Sequence, residues 1–283
     1  MSWIFLILIG VLFISTSLLF QRVLLKDEQS DPFTYAIVVQ LIIAILFFIY
    51  IAFTGFKLPP LKPLIPYLFL MSLLYALANF FGFKGLKVIE LSESSILWSS
   101  KVVWTMLTAV IFLREQVNLV RIIGMLLVLA GITVVSWRGK EWKLNKGHLF
   151  ILAAAFFSGI AFTNDAFLLN HFEVPSYSAI AFLFPALLLL AIRPKSISKF
   201  KLFLDKKRLF KMIIASFLLG VGTLGVYYSY QRGGDASQIM PISQSSVILI
   251  VILAFIFLKE RNRFAQKIIG SLLAFIGIWL LIA

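Results

Sequence analysis

Residues 112–132 read FLREQVNLVRIIGMLLVLAGI, and residues 257–278 read FLKERNRFAQKIIGSLLAFIGI. Each segment begins with Phe-Leu, a basic residue and glutamate, continues to a basic residue followed by Ile-Ile-Gly, and ends in Gly-Ile. Shared hydropathy does not explain the matched glutamates and basic residues, so the chain contains an internal repeat. The glycines of both segments are predicted to allow close contact between helices.

The sequence on either side of these segments is strongly apolar. Hydrophobic residues make up 61% of the chain and charged residues 13%, whereas about 25% of the residues in soluble proteins are charged. Too little polar surface is available to cover a water-soluble particle, which predicts an integral membrane protein. Apolar runs of about 17–25 residues cross a bilayer as helices. Ten such runs lie near residues 3–22, 33–54, 64–86, 94–113, 119–137, 148–170, 175–192, 210–231, 237–258 and 264–283.

The repeat divides these ten runs into two five-helix units, residues 1–141 and 146–283. Because five is an odd number, the second unit enters the membrane in the opposite orientation to the first. The sequence therefore predicts an all-α, polytopic membrane protein of ten transmembrane helices in two inverted five-helix repeats. This arrangement is typical of secondary transporters, whose binding site lies between the repeats.

The formal net charge is +14, and the basic residues that produce it lie mostly on one side of the predicted membrane spans. Connectors after odd-numbered runs, together with the adjoining ends of the runs, carry 20 lysines and arginines, and the corresponding segments on the opposite side carry 5. The positive-inside rule places the basic connectors in the cytoplasm and both termini outside. The basic strip FKLFLDKKRLF, residues 200–210, is predicted to lie on the anionic cytoplasmic leaflet rather than to bind nucleic acid. We expect a multi-pass protein of the cytoplasmic (plasma) membrane.

Lys101 lies near the middle of the fourth run, within ILWSSKVVWTML, residues 96–107. A charge at this depth costs at least about 2.5–3.5 kcal/mol on insertion scales, so it requires an explanation. The functional interpretation is a cationic anchor for a substrate carboxylate or phosphate, or a group that loses its proton during transport. The structural interpretation is an ion pair that locks the bundle. Trp98 shares the helical face of Lys101.

Asp165 and its neighbour Asn164 lie in the outer half of the sixth run. Asp165 could bind a substrate amine, carry a coupling proton or balance Lys101; capping near the surface is the structural alternative. The two charges are on the order of 12 Å apart along the membrane normal at 1.5 Å per residue, which favours a substrate between them. Other polar residues within the runs complete the predicted substrate-binding set: Gln40, Asn79, Tyr227, Tyr228 and Gln244.

Acidic residues at the ends of the runs are assigned structural roles. Glu90 and Glu93 are predicted to cap the fourth helix, and Asp235 the ninth. Glu115 and Glu260, the glutamates of the repeated segments, are predicted to fix their own interfacial turns.

The sequence argues against an enzyme. It contains no cysteine, two histidines, and no GxSxG, P-loop or dinucleotide-binding pattern. Metal-ligand spacings are absent as well, so no cofactor and no metal is expected.

The two five-span units, each ending in FLREQ…IIG…GI or FLKER…IIG…GI, and Met240-Pro241 at the start of the ninth run resemble the EamA-type branch of the drug/metabolite transporter superfamily. The resemblance implies a secondary-active transporter of a small organic metabolite, amino-acid-like or another polar solute, working by alternating access. The alternatives are a lipid-headgroup flippase of the same fold and, ranked last, an integral membrane enzyme. The expected partners are a small-molecule solute and membrane lipid, without nucleic acid; homodimer formation is left open.

Overall fold

The structure, a computed structural model, describes residues 3–26, 30–113, 118–138, 141–142, 145–203, 205–234, 236–244 and 246–282. Nearly all of these residues are helical, as the apolar runs predict. The helices are α1 (Trp3–Lys26), α2 (Pro32–Thr54), α3 (Ile65–Val88), α4 (Leu91–Trp98), α5 (Lys101–Leu113), α6 (Leu119–Ser136), α7 (Lys146–Leu169), α8 (Val174–Ile192), α9 (Lys206–Gln231), α10 (Ala236–Gln244), α11 (Ser246–Phe257) and α12 (Phe264–Ile282). Two short strands, β1 (Trp137–Arg138) and β2 (Glu141–Trp142), pair in antiparallel fashion between α6 and α7.

The number and length of apolar helices confirm a multi-pass membrane protein. Seven helical segments in the described part of the chain are long and apolar enough to cross a bilayer, and three shorter apolar helices accompany them. Large apolar side chains, such as Phe112, Leu126 and Phe257, are more than half exposed on the outer surface of the bundle, where lipid would cover them. The count of ten spans stays a prediction.

The fourth predicted span, residues 94–113, starts earlier, at Leu91, and is interrupted in its middle. At the interruption the backbone amides of Ser99 and Ser100 bond to carbonyls three residues back, the tighter 3₁₀ pattern. Their hydroxyls also bond to carbonyls of the preceding turn, at 3.1 and 2.9 Å. Serine side chains compete in this way with regular helix formation, so they interrupt the span just before Lys101.

The helices pack mainly across the two halves of the chain. α1 packs on α9 and α3 on α7, while α2 packs on α8 and α6 on α12. If each helix is replaced by its counterpart in the other half, the α1–α9 pair becomes the α7–α3 pair. The α2–α8 and α6–α12 pairs each join two helices that are counterparts of one another. A two-fold relation between the halves generates this pattern.

The repeated segments themselves meet where α6 crosses α12. A Cβ atom at Gly131 would lie 2.5 Å from the carbonyl oxygen of Gly270, and one at Gly277 would lie 2.5 Å from that of Gly124. No side chain fits at these distances, so the glycines allow the two backbones to touch, as predicted.

The basic connector between α8 and α9 is held against α2. It contains a 3₁₀ helix, Pro194–Phe203, and α9 begins at Lys206. Asp31, outside the spans at the start of α2, accepts a hydrogen bond from Thr34 and lies 3.3 Å from Arg193 and 3.7 Å from Lys199. Burial raises the pKa of the Asp31 carboxyl, but the Thr34 bond and the two cations outweigh it, so the pKa lies below its ordinary value.

Candidate functional site

A cavity of about 220 Å³ lies between the two halves of the chain. The first half contributes α1, α3, α4 and α5 to its wall, and the second half contributes α7 to α11. The cavity extends from the level of Tyr75 and Tyr227 to the level of Gln21 and Leu86, toward the basic connectors. Most of the wall is apolar or aromatic, with a few amide and hydroxyl groups, which is the usual make-up of a small-molecule site.

Lys101 reaches into this cavity. It is the first residue of α5, directly after the interruption, and its Nζ atom lies 4.9 Å from the centroid of the Phe162 ring. Among the described residues it has no hydrogen-bond acceptor and no carboxylate within ion-pair distance, and it is the single charged side chain in the cavity wall. The ammonium group therefore faces the cavity without a counter-ion among the described residues.

Trp98, Asn79 and Gln244, three further members of the predicted set, line the same cavity. The Trp98 ring lies against the backbone of α3, where a Cβ atom at Gly82 would be 2.5 Å away. Asn79 donates to the carbonyl of Tyr75 at 2.8 Å, which fixes its side chain.

The interruption of the fourth span is contacted by α10 of the second half. The Nε2 atom of Gln244, in α10, donates to the Ser99 hydroxyl at 3.5 Å. The offset that aligns Phe112 with Phe257 also aligns Ser99 with Gln244 and Lys101 with Ser246. The equivalent residues Ser99 and Gln244 therefore touch at the cavity, and the charge in the described part of its wall, Lys101, comes from the first half.

Asp165 lies behind the cavity wall and is fully buried. Its carboxylate accepts hydrogen bonds from the phenol groups of Tyr177 at 2.5 Å, Tyr227 at 3.0 Å and Tyr75. These tyrosines come from α8, α9 and α3, and Tyr75 and Tyr227 also line the cavity. Neither Tyr75 nor Tyr177 stands out in the sequence, because aromatic residues are common throughout its apolar runs.

Three other predicted residues lie outside the cavity wall. Asn164 donates to the carbonyl of Tyr67 at 3.1 Å and so ties α7 to α3. Gln40 is buried in α2 and donates to the carbonyl of Ala36 at 3.0 Å. Tyr228 is half-buried against an apolar cluster. The structure thus brings together Lys101, Trp98, Asn79, Tyr227 and Gln244, and it places Asp165, Asn164, Gln40 and Tyr228 elsewhere.

Glu260 contacts the opposite half of the chain, in addition to occupying its turn. One carboxylate oxygen accepts from the amide of Leu91 at 2.8 Å, and the other accepts from the amide and hydroxyl of Ser92 at 3.0 and 2.6 Å. This carboxylate caps α4, whereas Glu90 makes no side-chain cap there. The predicted cap by Glu90 is wrong because Lys267 holds the Glu90 carboxylate.

Ion pairs surround this cap. Arg263 pairs with Glu93, and His148 lies 3.6 Å from the same carboxylate. Arg22 of α1 lies 4.0 Å from Glu260. We call Arg22, Glu90, Glu93, Glu260, Arg263 and Lys267 the connector cluster. It joins the two halves at the end of the molecule where the basic connectors lie. Glu115 and Asp235, the other predicted turn and cap residues, are outside the described residues.

Comparison with known proteins agrees with this architecture. A protein of known crystal structure superposes with a TM-score of 0.70 over 98% of this chain and 95% of that chain, at 16% identity, which shows a shared fold. An uncharacterized protein from Methanocaldococcus jannaschii is 39% identical over 77 residues, which are 27% of this chain and 55% of that protein. The model of the EamA-like transporter family matches residues 1–137 and 145–283. The chain therefore belongs to the EamA-like transporter family, a family of membrane transporters.

Proposed function

We propose that this protein is a secondary-active transporter that moves a small polar organic solute across the cytoplasmic membrane by alternating access. The observation that carries the proposal is the cavity between the halves, which holds a lysine that has no counter-ion in the part of the chain that the structure describes. Because an unpaired charge within the membrane is costly, a charged solute group is the natural partner of Lys101. The family supports transport in general.

The solute would be held at the start of α5. Lys101 would donate to an anionic group of the solute, and the positive end of the α5 dipole would add to the attraction. Discontinuous helices whose ends face the solute are a known device of transporters with inverted repeats. The uncharged groups of Asn79 and Gln244 would complete the polar contacts.

The connector cluster would control access from one side. It bonds α4 of the first half to the α11–α12 turn of the second half, so these elements cannot separate while its bonds last. Opening the cavity toward the basic connectors would break them, and rebinding would close it again. Because the sequence has no ATP-binding motif, uphill transport would draw on an ion or solute gradient.

Alternating access can be tested without knowing the solute, because the chain has no cysteine. Ser243 lines the cavity, so Ser243→Cys should react with a membrane-impermeant thiol reagent from both sides of oriented vesicles. The matched control is Ser216→Cys, since Ser216 is fully buried in α9 and should stay unreactive. Labelling of Ser243→Cys from one side only, under every applied gradient, would contradict the proposal. Open-pore ion currents would indicate a channel instead.

The orientation of the chain rests on the 20 to 5 distribution of basic residues. Ser198 lies exposed in the 3₁₀ connector and Asn170 lies exposed in the α7–α8 connector. We expect Ser198→Cys to react only from the cytoplasmic side and Asn170→Cys only from the outside, measured with an impermeant thiol reagent on intact cells and on inverted vesicles. The reverse pattern would place both termini in the cytoplasm.

A further inference from the structure

We infer, on the basis of the proposed transport function, that the solute is an organic monoanion with a small apolar body and not a zwitterionic amino acid. The inference comes from the charges that face the cavity and from those that are kept away from it.

The cavity wall offers one charge and only neutral polar groups besides it. In the described part of the chain, Lys101 is the single ionisable side chain with formal charge in the wall. The other polar contributors are amides, hydroxyls and phenols, such as Gln21, Asn79, Ser95 and Thr223. One carboxylate matches this set, because it pairs with the ammonium of Lys101 and accepts bonds from neutral donors. A second negative charge would meet no further cation among the described residues of this wall.

A solute ammonium would lack a carboxylate partner. Asp165 is the acidic residue nearest the cavity among those described, yet it is fully buried and both of its oxygens accept phenol hydrogen bonds. Tyr75 and Tyr227 separate it from the cavity. Glu93 and Glu260 are occupied in the connector cluster. An ammonium brought into this space would lose its hydration and face the like charge of Lys101, which is unfavourable.

The size and lining of the cavity define the rest of the solute. An apolar cavity of about 150 Å³ accommodates benzene, so the 220 Å³ here leaves room for one ring and a short acidic chain. Trp98, Phe162 and Phe182 supply aromatic surface for such a ring. A lipid headgroup with its chains needs more space than this.

Four compounds with the same phenyl ring and similar chain length test the inference: 3-phenylpropionate, phenylalanine, phenethylamine and 3-phenyl-1-propanol. They differ in charge, being an anion, a zwitterion, a cation and a neutral molecule. Equilibrium binding to the purified full-length protein should favour 3-phenylpropionate by at least about tenfold over each of the others, since one charge-assisted hydrogen bond is at stake. Lys101→Met should reduce the affinity for 3-phenylpropionate to that for the alcohol.

Lys84→Met is the matched control. Lys84 also lies in an apolar helix, 4.3 Å from the Phe150 ring centroid, but it does not line the cavity. This variant should keep the preference for the anion. Equal or tighter binding of phenylalanine or phenethylamine would overturn the inference, and so would the lack of any binding that depends on Lys101. Two-sided labelling of Ser243→Cys does not depend on these ligands. If Ser243→Cys is labelled from both sides but the four ligands do not bind in the expected order, only the proposed solute class is overturned. If Ser243→Cys is labelled from one side only, the transport function is overturned.

Discussion

Replacing Lys101 by methionine should leave the melting temperature unchanged or raise it, while solute binding and transport fall by about 10- to 100-fold. Methionine keeps the length of the side chain and removes its charge. Among the described residues, Lys101 has an aromatic ring beside it and no carboxylate within ion-pair distance, so its removal leaves no opposite charge behind. The replacement also relieves an insertion cost of about 2.5–3.5 kcal/mol. Thermal unfolding and uptake into vesicles, measured on the same preparation, check both parts.

The opposite result has a clear meaning. If Lys101 were the structural half of an ion pair, removing it would strand a buried carboxylate and cost about 3–5 kcal/mol of stability. A marked fall in melting temperature would therefore contradict the assignment of Lys101 to the cavity. Normal transport by Lys101→Met would contradict its role in binding. The Lys84→Met control separates both outcomes from the general effect of removing a lysine from an apolar helix.

Replacing Glu260 by alanine should open the cavity toward the basic connectors and lower the melting temperature by several degrees. The change removes three hydrogen bonds and leaves the amides of Leu91 and Ser92 without their acceptors, at about 1–3 kcal/mol for each unsatisfied group. It also deprives Arg22 of a neighbouring carboxylate. These lost hydrogen bonds destabilise the conformation in which the two halves are joined at this end. Ser94→Cys, which lines the cavity on α4, should therefore react faster with a thiol reagent added on the connector side.

Two further variants make the comparison specific. Glu260→Gln keeps one acceptor oxygen and should show a smaller effect of the same sign. Glu173→Ala removes a glutamate that pairs with Lys57 at 2.9 Å, but both side chains are more than half exposed. Exposed pairs contribute about 0–1 kcal/mol, so this control should change neither stability nor labelling. Equal labelling rates for wild type and Glu260→Ala would show that the connector cluster does not close the cavity.

The sequence alone was sufficient for the membrane class, the family and the repeat. Hydropathy identifies long apolar helices because the bilayer imposes its cost on each residue in turn, whatever its tertiary contacts. The glycines matched between residues 112–132 and 257–278 are those that meet where α6 crosses α12. The depth of Lys101 follows from its place in an apolar run. Its position in the cavity wall agrees with that depth.

Only the tertiary structure decides which polar groups meet. Asp165 and Lys101 both lie deep within apolar runs of the sequence. In the structure Asp165 is enclosed by phenol groups from three helices, whereas Lys101 faces the cavity. Glu260 caps α4 of the other half, whereas Glu90, which is predicted to cap this helix, pairs with Lys267. Hydropathy indicates how deep in the membrane a residue lies, but it does not determine the rotation and tilt of the helix that carries it. Those are set by packing between helices distant in the chain, and they determine the partner of each buried polar group.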